Sequence, residues 1–136
     1  MKKYYIATGL PRIKDHNLLR DQLNQRGFTI TYDWTGHGSV KCTDKETLRK
    51  VAHAEIAGVL SADIVIVLLP GGQGTHTELG AALASGKQLF IHSENQNHFN
   101  PSEETCAFYH HNRIIQLDCP LLEVPDRLYE MQKTTK

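Results

Sequence analysis

The stretch Pro70-Gly71-Gly72-Gln73-Gly74-Thr75-His76-Thr77-Glu78 holds three glycines in four positions, and a carboxylate follows four residues later. Glycines let a chain turn tightly and leave its N–H groups uncovered. Where such a turn opens a helix, those groups make a site for an anion or a hydroxyl. The stretch is not a P-loop, which needs Lys after its last glycine, because Thr75 follows Gly74. It is not a dinucleotide fingerprint either, because Thr77 stands where the third glycine belongs. Two readings remain: a tight strand–helix turn with an ordinary carboxylate in its first helical turn, or a ligand loop with a reactive Glu78.

A second carboxylate bears on that choice. If Leu48, Val51, Ala52, Ile56 and Val59 form the apolar stripe of one helix, Glu55 falls in the middle of the stripe. Unpaired burial of a carboxylate costs several kcal/mol, so Glu55 requires partners, water or a cleft. It is either a buried glutamate satisfied by a Lys or Arg, or a second acid facing the cleft that holds Glu78. Two carboxylates in one cleft are the equipment for breaking a glycosidic bond: one attacks or stabilises the sugar and the other moves a proton. That use predicts the two carboxyls at roughly 5–10 Å from each other.

The elements that must position these groups alternate. Lys3 to Thr8 reads as a first strand turning at Gly9, and Pro11 opens a helix with Leu18, Leu19 and Leu23 as its stripe, ending at Gly27. Phe28 to Tyr32 is a second strand and Asp33 to Cys42 a loop. Thr43 with Glu46 forms a capping box for a helix to about Leu60. The unalternating run Ile64 to Leu69 suits a central parallel strand covered on both faces. After the glycine loop come a helix from Thr75 to Ser85, a strand from Gln88 to His92 and a polar loop from Ser93 to Asn100. Asn100 with Pro101 and Glu103 predicts another helix start, Arg113 to Leu117 a fifth strand, and Pro120 to Met131 a last helix that Pro125 splits or restarts. This order predicts one α/β domain over residues 1–136, a flavodoxin- or Rossmann-like three-layer sandwich with a five-stranded, mainly parallel sheet. Ligands in such sheets sit beyond the carboxyl ends of the strands, here just after Thr8, Tyr32, Leu69 and His92.

Composition narrows the partners. Fifteen basic residues balance fifteen acidic ones among 136, which argues against a nucleic-acid or anionic-membrane binder, since both demand a basic footprint. No stretch approaches the ~18 apolar residues of a membrane span, and the start of the chain shows no cleavage site of a secretory signal. Three irregularly spaced cysteines make no disulfide framework, so a cytoplasmic protein is expected.

With these residues in place, the sequence resembles the nucleoside 2-deoxyribosyltransferase family. The resemblance runs through Tyr5-Ile6-Ala7-Thr8-Gly9, Glu55-Ile56, Ala62-Asp63-Ile64-Val65-Ile66-Val67 and Gly74-Thr75-His76-Thr77-Glu78-Leu79-Gly80 with Gly86-Lys87, over roughly residues 3–92. It implies N-glycosidic chemistry on deoxyribonucleosides or their 5′-monophosphates. It also implies Glu78 as nucleophile at C1′, Glu55 as the acid near the base where the family usually has Asp, and Tyr5 as a hydrogen-bond partner of the nucleophile. The family draws residues from a neighbouring subunit, so a homodimer or higher homo-oligomer is implied. The glycine loop also resembles the Pro-Gly-Gly-x-Gly-Thr-x-x-Glu signature of the cytokinin-activating phosphoribohydrolases, which release a base from a nucleoside 5′-monophosphate. Both resemblances imply a small nucleoside or nucleotide as partner and no cofactor or metal. The rival from another class is a catalytically silent nucleotide-binding or sensor module.

Gly9, Gly71, Gly72, Gly74 and Thr75 are the expected substrate- or phosphate-binding residues. The loop carries no acid to repel phosphate, which favours a 5′-monophosphate over a nucleoside, with Arg12 the nearest cation by topology. Cys106, His110 and His111 fall on one predicted helix and read as a helix face rather than a zinc site, since their spacing matches no common finger. Trp34 and Tyr32 either stack on a base or pack under the loop that follows them. His92 and His76 lie at the ligand edge of the sheet without an assigned role. A flavin site is disfavoured because Gly9-Leu10-Pro11-Arg12 lacks the Ser/Thr character of a flavin-phosphate loop.

Overall fold

The computed structural model describes residues 2–134. Five strands, β1 (Lys3–Ala7), β2 (Thr29–Ile30), β3 (Ile64–Leu68), β4 (Gln88–His92) and β5 (Ile114–Leu117), form one sheet in the order β2-β1-β3-β4-β5. Every neighbouring pair is parallel, with Tyr5 beside Val65 and Val65 beside Leu89. The connections are α1 (Ile13–Gln25), α2 (Lys45–Ser61) and α3 (Gln73–Ala84), and α4 (Val124–Thr134) follows the last strand. This is the expected three-layer α/β sandwich, here parallel throughout.

Side chains alternate across the sheet and sort the core into two layers. Tyr4, Ile6, Ile64, Ile66 and Phe90 pack with Leu19 and Leu23 of α1 and Val124 and Leu128 of α4. Tyr5, Ala7, Val65, Val67 and Leu89 pack with Val59 of α2 and Leu79 and Ala82 of α3. All five residues of β3 are buried, as an apolar run without alternation requires.

Several boundaries differ from expectation for local reasons. The second strand shrinks to two residues at the sheet edge, because the Phe28 N–H turns back to the Leu23 carbonyl at the end of α1. Asp44, not Thr43, caps α2: its carboxylate accepts from the Thr47 N–H at 2.7 Å, while the Thr43 hydroxyl donates to Val40 O at 2.5 Å. Leu48 is 40% exposed and Ala52 is exposed, so the inner stripe of α2 runs instead through the half-buried Val51, Ala54, Glu55 and Ile56 to the buried Gly58 and Val59. In α1, Leu18 is likewise exposed while Leu19 and Leu23 are core. The helix expected after Asn100 does not form. Asn100 Nδ2 donates to Gln96 O, Ser102 Oγ to Asn97 O and Thr105 Oγ1 to His98 O, so the side chains that would have capped and opened this helix bind instead to carbonyls upstream of it. Pro120 leads into a short 3-10 turn (Leu121–Glu123), and α4 restarts with Pro125 in its first turn, where the missing N–H costs nothing.

Candidate active site

The strand order reverses between β1 and β3, and a cavity opens there, beyond the carboxyl ends of both strands. Its volume is about 510 Å³. Three chain segments enclose it: Thr8 to Arg12 after β1, the loop after β2 through His37 and Lys41, and the glycine loop after β3. Gly9, Gly71, Gly72, Gly74, Thr75, Glu55 and Glu78 all line it: the four glycines come from the predicted turns, Thr75 and Glu78 from the helix predicted after the glycine loop, and Glu55 from the middle of α2.

Glu78 sits on the second turn of α3 and is 5% exposed. Tyr5, buried in β1, donates its hydroxyl hydrogen to Glu78 Oε2 at 3.0 Å. Glu55 and Glu78 line the same cavity, and the Glu55 carboxyl bears directly on the Glu78 carboxyl. Burial and the neighbouring Glu55 push the Glu78 carboxyl up to about 9, against the opposing pull of the Tyr5 hydrogen bond. The Tyr5 phenol is itself held far above its ordinary value by burial and by the Glu78 charge. Glu55 stays 24% exposed to the cavity, and among the described residues no Lys or Arg pairs with it; His37 Nε2 lies 3.7 Å from its Oε2. The arrangement is a carboxylate pair with unequal burial, and such pairs assign acid and base roles by environment.

The glycine loop is built differently from the expectation in one respect. The Gly72 N–H donates to Thr75 Oγ1 at 3.1 Å and so is not free for a ligand. The uncovered donors are the first-turn N–H groups of α3 at Gln73 and Gly74, which have no partner within a helix. A side chain at Gly71 would run into Thr75, so only glycine lets the loop fold onto that buried hydroxyl. His76 donates from Nδ1 to the Gly72 carbonyl at 2.7 Å and meets the Tyr109 hydroxyl through Nε2 at 2.7 Å, tying the loop to the rest of the fold. Arg12 reaches the cavity rim with its guanidinium bonded to Leu69 O and, at 2.9 Å, to Asp15.

The remaining candidates separate. Trp34 is 6% exposed and donates Nε1–H to Ile6 O at 2.9 Å, so it packs under the loop and forms a wall of the cavity. Tyr32 lies beside His37, with ring centres 6.0 Å apart. His92 is buried on Cys119 O, outside the cavity lining. Cys106, Phe108 and His111 border a separate surface groove, His110 bonds Thr105, and among the described residues no group of three ligating side chains converges on a metal position. Three cavity residues, His37, Ser39 and Lys41, carried no motif in the sequence. Their one legible signal is position, since their loop follows the carboxyl end of the second strand.

No curated protein matches the sequence. Among solved structures the fold is similar to that of the CMP N-glycosidase BcmB from Clostridium botulinum, with a TM-score of 0.60 and 17% identity, covering 93% of this chain and 98% of that one. The model of the nucleoside 2-deoxyribosyltransferase family matches residues 5–126, a span that includes both glutamates and the glycine loop, and on that match the chain belongs to the nucleoside 2-deoxyribosyltransferase family.

Proposed function

We propose that this protein cleaves the N-glycosidic bond of a nucleoside 5′-monophosphate, with Glu78 as nucleophile and Glu55 as the acid for the leaving base. The observation that carries this reading is the Tyr5–Glu78 hydrogen bond behind two glutamates, Glu78 and Glu55, that line the cavity at the sheet's switch point. Tyr5 holds Glu78 Oε2, which leaves Oε1 to bond C1′. The C1′–N bond breaks with its electron pair going to the base, and the proton of the carboxyl pair follows to that base. Leaving-group protonation and ionisation of the nucleophile are then a single event. Water resolves the glycosyl–enzyme, returning a proton to Glu55. Membership of the family and the CMP N-glycosidase fold support the reaction class.

Support for a 5′-phosphate comes from the rim. Gln73 and Gly74 at the start of α3, Arg12 and Lys41 all line the cavity, and the glycine loop carries no carboxylate. A dianion matches that set better than a hydroxyl does.

A chromatographic screen for free base across nucleosides and their 5′-monophosphates tests the proposal. Base release expected from at least one monophosphate, and lost in Glu78→Gln by several orders of magnitude, supports a nucleophilic Glu78. Tight binding without base release on long incubation would instead make this a nucleotide-binding module.

A further inference from the structure

We infer that His37 is a positioning residue that fixes the Glu55 carboxyl so that it faces the leaving base. The inference rests on the glycosidase reading above. His37 Nδ1 lies 2.9 Å from Gly38 O. A carbonyl only accepts, so Nδ1 carries a hydrogen and the neutral ring keeps a bare Nε2. That Nε2 is buried, has no hydrogen-bond partner, and lies 3.7 Å from Glu55 Oε2. Buried polar atoms are rarely left unpaired, so this pair of atoms is poised for a bond. The present gap is too long for a hydrogen bond, and contacts of this kind tighten when substrate closes the site.

His37 faces Glu55 from α2 and Tyr32 at the end of the second strand, with Lys41 on the same loop and Glu78 from α3 lining the same cavity. Of these, Glu55 is the one within 4 Å of Nε2. A hydrogen between Nε2 and Oε2 makes that bond and fixes the Glu55 carboxyl, leaving Oε1 to meet the leaving base. The base leaves with the proton of the carboxyl pair. In the second half of the reaction, water forms the C1′–O bond and the C1′–Glu78 bond breaks. The water proton returns to the carboxyl pair. Protons balance over the cycle, with no redox step.

The test compares two substrates that differ in their need for the acid. One is the wild type's best nucleotide; the other is its analogue with a better leaving base, either a 5-fluorinated pyrimidine or an N7-methylated purine according to which class is turned over. In His37→Gln, kcat/KM for the ordinary nucleotide is expected to fall by roughly 10- to 100-fold, and for the analogue by about threefold at most. Equal losses on both substrates, or no loss on either, would overturn the inference, because a merely structural role does not distinguish leaving groups. Nitrogen-15 NMR of the wild-type histidines gives a check that needs no variant. A proton on His37 Nδ1 is expected; a neutral ring protonated on Nε2 alone would also overturn it. If the wild type releases no base from any nucleotide, the glycosidase reading fails first and is recognised as such.

Discussion

The Glu78 carboxyl holds a proton at neutral pH that an exposed glutamate would release, and this has a cost in stability that can be read separately from activity. The folded protein binds this proton more tightly than the unfolded chain, with the Glu78 value moved from 4.5 up to about 9. A raised carboxyl value stabilises the fold fully at pH below the unfolded value, and that contribution is lost as pH rises toward the folded one. Glu78→Gln removes the titration while keeping the shape and an acceptor for the Tyr5 hydroxyl. The variant is therefore expected to be more stable than wild type at pH 8, on the order of 1–3 kcal/mol. The gain should shrink to nothing near pH 4. Thermal melts of both proteins across that range check it, and a Glu78→Gln protein that is inactive but more stable at pH 8 would mark a site built at the expense of the fold.

At the scale of elements, Glu55 reaches the cleft because α2 lies close against β1. Gly58, one turn further along α2, makes this approach possible. A methyl group there would stand 2.8 Å from Tyr32 Cβ and 3.1 Å from the Tyr5 ring. In a free helix Gly→Ala gains about 1 kcal/mol. Here the clash against two ring-bearing neighbours reverses the sign, and Gly58→Ala is expected to lose roughly 1–2 kcal/mol net. Because α2 must move outward, Glu55 moves with it and away from Glu78. A displacement near 1 Å can cost about a hundredfold in rate, so kcat should fall far more than stability does. Denaturant melts and steady-state kinetics on the same variant separate the two effects. Activity at the wild-type level would show that α2 tolerates the shift.

In the whole molecule the cavity lies where the strand order reverses, and its ligand should report on the entire fold. In the Glu78→Gln protein a bound nucleotide is not consumed, so stabilisation measures binding alone. At a hundred times its dissociation constant, a ligand raises stability by about 2.7 kcal/mol. A nucleoside 5′-monophosphate is expected to bind at least about tenfold more tightly than its nucleoside, or roughly 1.4 kcal/mol. The reason is that first-turn N–H groups of α3, Arg12 and Lys41 line the same cavity. Calorimetric titration of both ligands decides the matter. Equal or tighter binding of the nucleoside would remove the phosphate from the proposal.

Much of this arrangement was legible in the chain itself. The unalternating run Ile64 to Leu68 specifies a central strand, and a buried strand followed by glycines and a helix specifies a ligand loop with Glu78 behind it. Periodicity also placed Glu55 on the inner face of α2, although through a stripe that wrongly included the exposed Leu48 and Ala52. These features are local, because strand, turn and helix signals act over a few residues and survive any tertiary context. The contact between Glu55 and Glu78 is not local. It depends on the distance between α2 and α3, which Gly58 and the sheet order set together. His37 is the extreme case: nothing in its neighbours along the chain marks it, and it gains meaning only where its loop folds back over Glu55. The same holds for the missing helix after Asn100, where side-chain bonds to backbone carbonyls outcompeted a plausible cap. Sequence alone determined which groups could do the chemistry, because residue type and local period are written in it. Tertiary structure decided which groups act on one another, because that is set by ångström-scale separations between residues far apart in the chain.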